Sequence, residues 1–378
     1  MINEKSLTAV AESQFDHGFC KPLYTTYGFS QIPATVKRLL TLSPGGLPDD
    51  CLASLESAYE RVIVILIDGF GWNFFERYME NQPFLRRFLE KGIVSKITSQ
   101  FPSTTTAHIT CLATGEEVGQ TGLYEWFCYD PKVDAMIAPL LFSFAGDKEL
   151  GTLEKAGVDP SLIYPHQSFY ENLKKEGISS YVFQEESIAH SPYTKKLFKG
   201  AEIEGFKDFA QGIKKLTQKL KTNKGYFYIY CADIDGQAHR HGLYSPQVEQ
   251  AVKYCFSSLE NLLSKELVSY QKTALILTAD HGMTEIDPKT TFYLNEKLPH
   301  FSQYIRKNAK GTLLAPAGSC RDFFLHVEPH KKKEALDYLK EHLNTKAAVY
   351  DVQELIDLQF FGKNRVSSSF LKRDRKSV

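Results

Sequence analysis

The sequence has no apolar run long enough to cross a membrane. Its longest strongly apolar stretch is Val62 to Ile67, far short of the roughly 20 residues that a spanning helix needs. It has no excess of charge of either sign, with 45 Lys and Arg against 45 Asp and Glu. Nucleic-acid polymers and anionic membrane surfaces are recognised by basic excess, so neither is indicated as a partner. It also has no paired cysteine spacing. The seven cysteines are scattered at 20, 51, 111, 128, 231, 255 and 320. An odd number without a Cys-x-x-Cys motif argues against a disulfide framework and against a thiolate zinc site. The first residues, Met1-Ile-Asn-Glu-Lys-Ser6, show no apolar stretch of signal-peptide length. The expectation is a cytoplasmic protein, with signal-independent export left open. There is no internal repeat and no low-complexity segment.

What is present is a chain of 378 residues, long enough to bury a sizeable core, with 20 Tyr and 26 Phe. Arg61-Val-Ile-Val-Ile-Leu-Ile-Asp-Gly69 is a continuous β-branched run, which predicts a strand buried on both faces and a parallel sheet. Lys224 to Asp233 and Thr273 to Asp280 read the same way. Helices are expected over 35–42, over 74–91 with a break near Pro83, and over 168–176, 207–220, 246–265 and 331–343. Further strands are expected over 92–98, 179–184, 312–315 and 322–327. The fold class is therefore α/β, with a central, mostly parallel sheet sandwiched by helices. Residues 1–58 read as a wrapping segment around a catalytic domain over 59–360. The irregular, aromatic-rich stretch 116–200 reads as an inserted cap on the substrate side. Residues 361–378 read as a basic tail, frayed from about 367.

The chemistry gathers at strand ends. Asp68 ends the first buried run; Asp235 and His239 follow the second, four residues apart; Asp280 and His281 end the third. Between the first and second lies Phe101-Pro-Ser-Thr-Thr-Thr-Ala-His-Ile-Thr-Cys-Leu-Ala-Thr-Gly115, a run of hydroxyls opening a helical pattern. Alone, that run reads first as an N-cap. A helix start is also a place where a hydroxyl can attack phosphorus, because its unpaired N–H groups hold an anion. Ligands of open α/β sheets bind at the carboxyl ends of strands. A parallel sheet would bring these side chains together, and carboxylates and imidazoles without thiolates suit zinc or manganese.

In this order, Asp-Gly after a buried strand, Pro-Ser-Thr-Thr-Thr, Asp-x-x-x-His and Asp-His-Gly-Met resemble the alkaline phosphatase superfamily. Within it the sequence is most similar to the type I phosphodiesterase/nucleotide pyrophosphatase family. The motifs cover roughly 60–130 and 225–285. The resemblance implies an alkaline-phosphatase-like fold and a metal-dependent hydrolase of phosphate esters. It implies Thr105 as the nucleophile. It also implies two divalent ions, zinc or alternatively manganese. One would be held by Asp68, Thr105, Asp280 and His281, the other by Asp235 and His239. A third ligand of the second ion is a histidine in the family. No histidine occupies the matching place here, and His326 is the candidate. Thr106 and Trp126 are expected to bind substrate, with backbone N–H groups near Thr106 and Ala107 holding phosphate oxygens. The family's phosphate-binding asparagine is replaced by Glu125 and Trp126. The implied substrate is a small phosphate ester or nucleotide. A phosphomonoesterase, a phosphonate hydrolase, or a binding protein that has lost turnover are the alternatives.

Overall fold

The computed structural model describes residues 1–53, 55 and 57–374. Its centre is β1, Arg61–Ile67, in which every residue is buried. Side chains alternate across a strand. Val62, Val64 and Leu66 accordingly enter one core with Tyr226, Tyr228 and Tyr230. Ile63, Ile65 and Ile67 enter the opposite core with Phe227 and Ile229. Full burial of each such side chain stabilises by about 1.5–3 kcal/mol, so the β-branched run is an apolar wall with two faces.

A small antiparallel sheet follows in the chain, built from β2 (Cys128–Asp130), β3 (Ala135–Ala138) and β4 (Ser143–Phe144). The central sheet resumes with β5 (Ser180–Glu185), β6 (Glu202–Phe206), β7 (Gly225–Cys231) and β8 (Thr273–Thr278). Its order is β6-β5-β7-β1-β8 and every pairing is parallel. Near the C-terminus β9 (Ala317–Gly318) and β10 (Phe323–Phe324) form a short antiparallel hairpin. Ile67 lies opposite Cys231, and Leu66 opposite Thr278. The three central strands therefore end side by side, and the Asp68 N–H still reaches Cys231 O at 2.9 Å.

Several expectations are corrected. Residues 92–98 do not join the sheet. Val94 and Thr98 pair instead, as isolated bridges, with Ile2 and Gly28, because the N-terminal segment takes up their backbone groups (Asn3 N–H to Val94 O, Phe29 N–H to Thr98 O). Residues 312–315 hold only the bridge of Leu313 to Lys307. β5 lies inside the stretch 116–200 yet belongs to the central sheet. By contrast, the break expected near Pro83 is present: 74–91 forms two helices, Trp72–Tyr78 and Pro83–Lys91, with Pro83 at the first turn of the second, where its missing N–H costs nothing.

The C-terminal tail is not frayed as far as it is described. Ser368–Asp374 is helical and sends Phe370 and Arg373 into the interior. Arg373 donates to Asp130 Oδ2 from Nε (2.9 Å) and Nη2 (2.6 Å), to Gly122 O (2.9 Å) and to Ile163 O (2.8 Å). Residues 375–378 lie outside the described residues. No helix among the described residues is long and apolar enough to cross a membrane.

Candidate active site

The hydroxyl run does both things its residue types allow. Thr104 is the N-cap of the helix Thr105–Thr114, accepting from Ala107 N–H at 3.4 Å. The Ala107 N–H expected to face phosphate is therefore turned to the cap. The next residue, Thr105, is presented at the helix start. All residues of this helix are buried, which fixes it against the sheet. Gly115, with φ +77°, closes it in a backbone conformation that glycine adopts without a Cβ penalty.

Thr105 Oγ1 lies 3.1 Å from His281 Nε2 and 3.4 Å from each oxygen of Asp68. His281 Nε2 is in turn 3.4 Å from Asp68 Oδ1 and 3.6 Å from Asp280 Oδ2. Asp68, Asp280 and His281 present ligand atoms within 4.8 Å of one another. Neighbouring hydrogen bonds orient them. His281 Nδ1 is 2.9 Å from Gly282 O; donation there leaves the Nε2 lone pair facing the carboxylates. Asp280 Oδ1 accepts from Gly69 N–H at 3.1 Å and His281 N–H at 2.9 Å. Its Oδ2 is buried and receives no hydrogen bond. Tyr230 OH donates to Asp68 Oδ2. Burial, and then the charges of Asp280 and Asp235, push the Asp68 carboxyl well above its ordinary range.

Asp235 and His239 lie on the helix Asp233–His241, one turn apart on one face, with Asp235 Oδ1 3.4 Å from His239 Nε2. The carboxylate raises the imidazole's pKa. Asp235 Oδ1 is also buried without a hydrogen-bond partner. This helix packs closely on the strand end: a Cβ on Gly69, at φ +69°, would meet Asp235 Oδ1 at 3.2 Å. Crowded carboxylates with unsatisfied buried oxygens, and an imidazole lone pair turned toward them, are a donor set that fits divalent cations.

His326 does not join this set. It is buried against the Tyr129 ring, 5.7 Å between centroids, with Arg306 5.1 Å from the same ring. Burial, and then that cation, hold its pKa down near 4. These are the surroundings of a core histidine. Thr106 is fully buried beside the nucleophile position, and Trp126 is 39% exposed at the loop beyond.

Three features add to the sequence reading, which named His108 only as an assisting group and Glu125 only as the replacement of an asparagine. Tyr230 is the last of the alternating tyrosines of β7, and its spacing was a usable signal. His108 pins the segment before Thr105: its Nδ1 lies 2.6 Å from Thr104 O and its Nε2 accepts from Gln100 N–H at 2.8 Å. Burial lowers it to about 4, so it stays neutral. Glu125, Arg321 and Asp322 meet across the hairpin β9–β10, a contact between distant segments with no local signature.

A parallel α/β sheet with a helix-start threonine, carboxylates and imidazoles at its strand ends is the architecture of the alkaline phosphatase superfamily. The profile of the type I phosphodiesterase/nucleotide pyrophosphatase family matches residues 62–370, and the chain belongs to that family. Among solved structures it is similar to murine ectonucleotide pyrophosphatase/phosphodiesterase 5, in an inactive threonine-to-alanine variant in complex with AMP. That likeness has 18% identity and a TM-score of 0.58, and covers 82% of this chain and 77% of that one. The human protein of the same name gives 18% identity and 0.58, over 81% and 76%. A segment of 81 residues is 32% identical to GPI ethanolamine phosphate transferase 1 of Yarrowia lipolytica; it spans 21% of this chain and only 9% of that protein.

Proposed function

We propose that this protein is a phosphodiesterase/nucleotide pyrophosphatase that works through a phosphothreonine intermediate on Thr105. The observation that carries this reading is Thr105 Oγ1 at a helix N-terminus, 3.1 Å from His281 Nε2 and 3.4 Å from the Asp68 carboxylate. Inactivity of a murine neighbour as a threonine-to-alanine variant, and its complex with AMP, support both the nucleophile and the nucleotide substrate class.

Asp68, Asp280 and His281, together with Thr105, would hold one divalent cation, and Asp235 with His239 a second; zinc suits this donor set best and manganese next. Such cations supply charge stabilisation for the attacking and leaving oxygens of an in-line displacement. The chain's own residues do the rest. Thr105 Oγ loses its proton to water and forms the new bond to phosphorus, which keeps its other ester substituent, as the displaced ester oxygen leaves and takes a proton from water. The buried helix fixes its position, and the helix N-terminus stabilises phosphoryl charge. Tyr230 holds Asp68, Gly69 and the His281 N–H hold Asp280, and His108 holds the segment leading into Thr105. Water then opens the phosphothreonine. Trp126 offers a ring for a nucleobase.

Hydrolysis of bis-p-nitrophenyl phosphate against p-nitrophenyl phosphate, on protein with measured metal content, tests this. Preference for the diester supports the reading. Preference for the monoester supports the phosphomonoesterase alternative. Protein that binds AMP but turns over neither substrate would support a degenerate binding protein.

A further inference from the structure

A second buried charge cluster stands beside the reaction centre. Glu125 follows Tyr124, whose carbonyl accepts from the N-cap Thr104 Oγ1 at 3.1 Å, so its place is tied to the nucleophile helix. Its side chain is 1% exposed. Glu125 Oε2 accepts from Trp126 N–H at 2.9 Å, whereas its Oε1 and Asp322 Oδ2 are buried and receive no hydrogen bond. Burial, and then the Asp322 carboxyl alongside, push Glu125 up to about 10. Both causes favour the neutral form of the Glu125 carboxyl.

Arg321 lies against both acids. Its Nε donates to Asp322 Oδ1 at 2.8 Å, and its Nη2 is 3.7 Å from Glu125 Oε1. The hairpin turn fixes the backbone beneath it: Ser319 N–H reaches Asp322 O at 2.8 Å, and a Cβ on Gly318 (φ +94°) would meet that same oxygen at 2.1 Å. Yet the Arg321 side chain is 43% exposed. It lines one cleft with His239, Asp280 and His281. An arginine clamped by its Nε and open at its other donors is a fork for an anion.

We propose that Arg321 is a specificity-determining residue that binds a second anionic group of the substrate, the phosphate that departs when a pyrophosphate bond is cut. The site then favours polyphosphorylated nucleotides over simple diesters. This rests on the hydrolase reading above. Two substrates that transfer the same kind of nucleotidyl group separate the two ideas: ATP, which releases pyrophosphate, and p-nitrophenyl thymidine 5′-phosphate, which releases an aryl alcohol. Arg321→Ala is expected to lower the ratio of kcat/KM for ATP to kcat/KM for the aryl ester roughly 10- to 100-fold, the worth of a charged hydrogen bond. Arg321→Lys is expected to restore part of that ratio and also covers the case in which the alanine variant fails to fold. An unchanged ratio in both variants overturns the role of Arg321 while leaving the hydrolase reading intact. A wild-type protein silent on both substrates overturns the hydrolase reading and this one with it.

Discussion

Replacing Arg373 with alanine tests whether the C-terminal helix is part of the folded core. The side chain is buried, as is its partner Asp130. Four donor contacts end on Asp130 Oδ2, Gly122 O and Ile163 O. Removing one member of a buried pair leaves an uncompensated charge and costs about 3–5 kcal/mol. An exposed pair would cost about 0–1 kcal/mol. For 378 residues, an unfolding entropy of about 2.1 cal/mol/K per residue converts that loss to a fall in Tm of about 4–6 °C. Differential scanning fluorimetry reads it directly. Because Gly122, Asp130 and Ile163 flank the loop carrying Glu125 and Trp126, KM should rise as well. Replacing Asp130 together with Arg373 by apolar residues of similar volume should recover most of the loss. A fall in Tm under 1 °C for Arg373→Ala would refute the reasoning.

Other consequences follow from the same geometry. Tyr230→Phe removes only the hydroxyl that holds Asp68 Oδ2; a support of this kind is worth roughly 10- to 100-fold in metal affinity or activity, read by metal titration and kcat, and no change in either would contradict its assigned role. Burial lowers His108 and His326 from 6.5 to about 4. Each therefore contributes stability that is complete above about pH 6.5 and lost as pH falls toward 4, about 3 kcal/mol apiece by linkage. Unfolding midpoints flat from pH 7 to 4 would contradict that. His326→Gln should lower Tm while leaving bound metal per chain unchanged by elemental analysis; loss of one equivalent would restore His326 as a ligand.

The central sheet was legible because its strands are dense apolar runs that end in Asp, and such runs have few other uses. The grouping of Asp68, Thr105, Asp280 and His281 was legible for the same reason: strand ends of a parallel sheet meet. The stretch 92–98 misled because its pairing partners, Ile2 and Gly28, are distant in sequence. Pattern cannot see which backbone will claim a half-apolar segment. The tail misled because Arg373 looks like any surface arginine until Asp130 is placed beside it. His326 misled because a strand histidine reads alike whether it faces a metal or, as here, the ring of Tyr129.

The central claim is that Thr105 becomes covalently phosphorylated. Acid quench of metal-loaded protein during turnover of a diester, followed by peptide mapping, tests it most directly. The account predicts, on the peptide containing Thr105, the substrate's phosphoryl group still carrying its retained ester substituent, lost in Thr105→Ala together with at least about 1000-fold in kcat, as expected when a covalent nucleophile is removed. Full turnover by Thr105→Ala, or phosphate trapped on another residue, would contradict it.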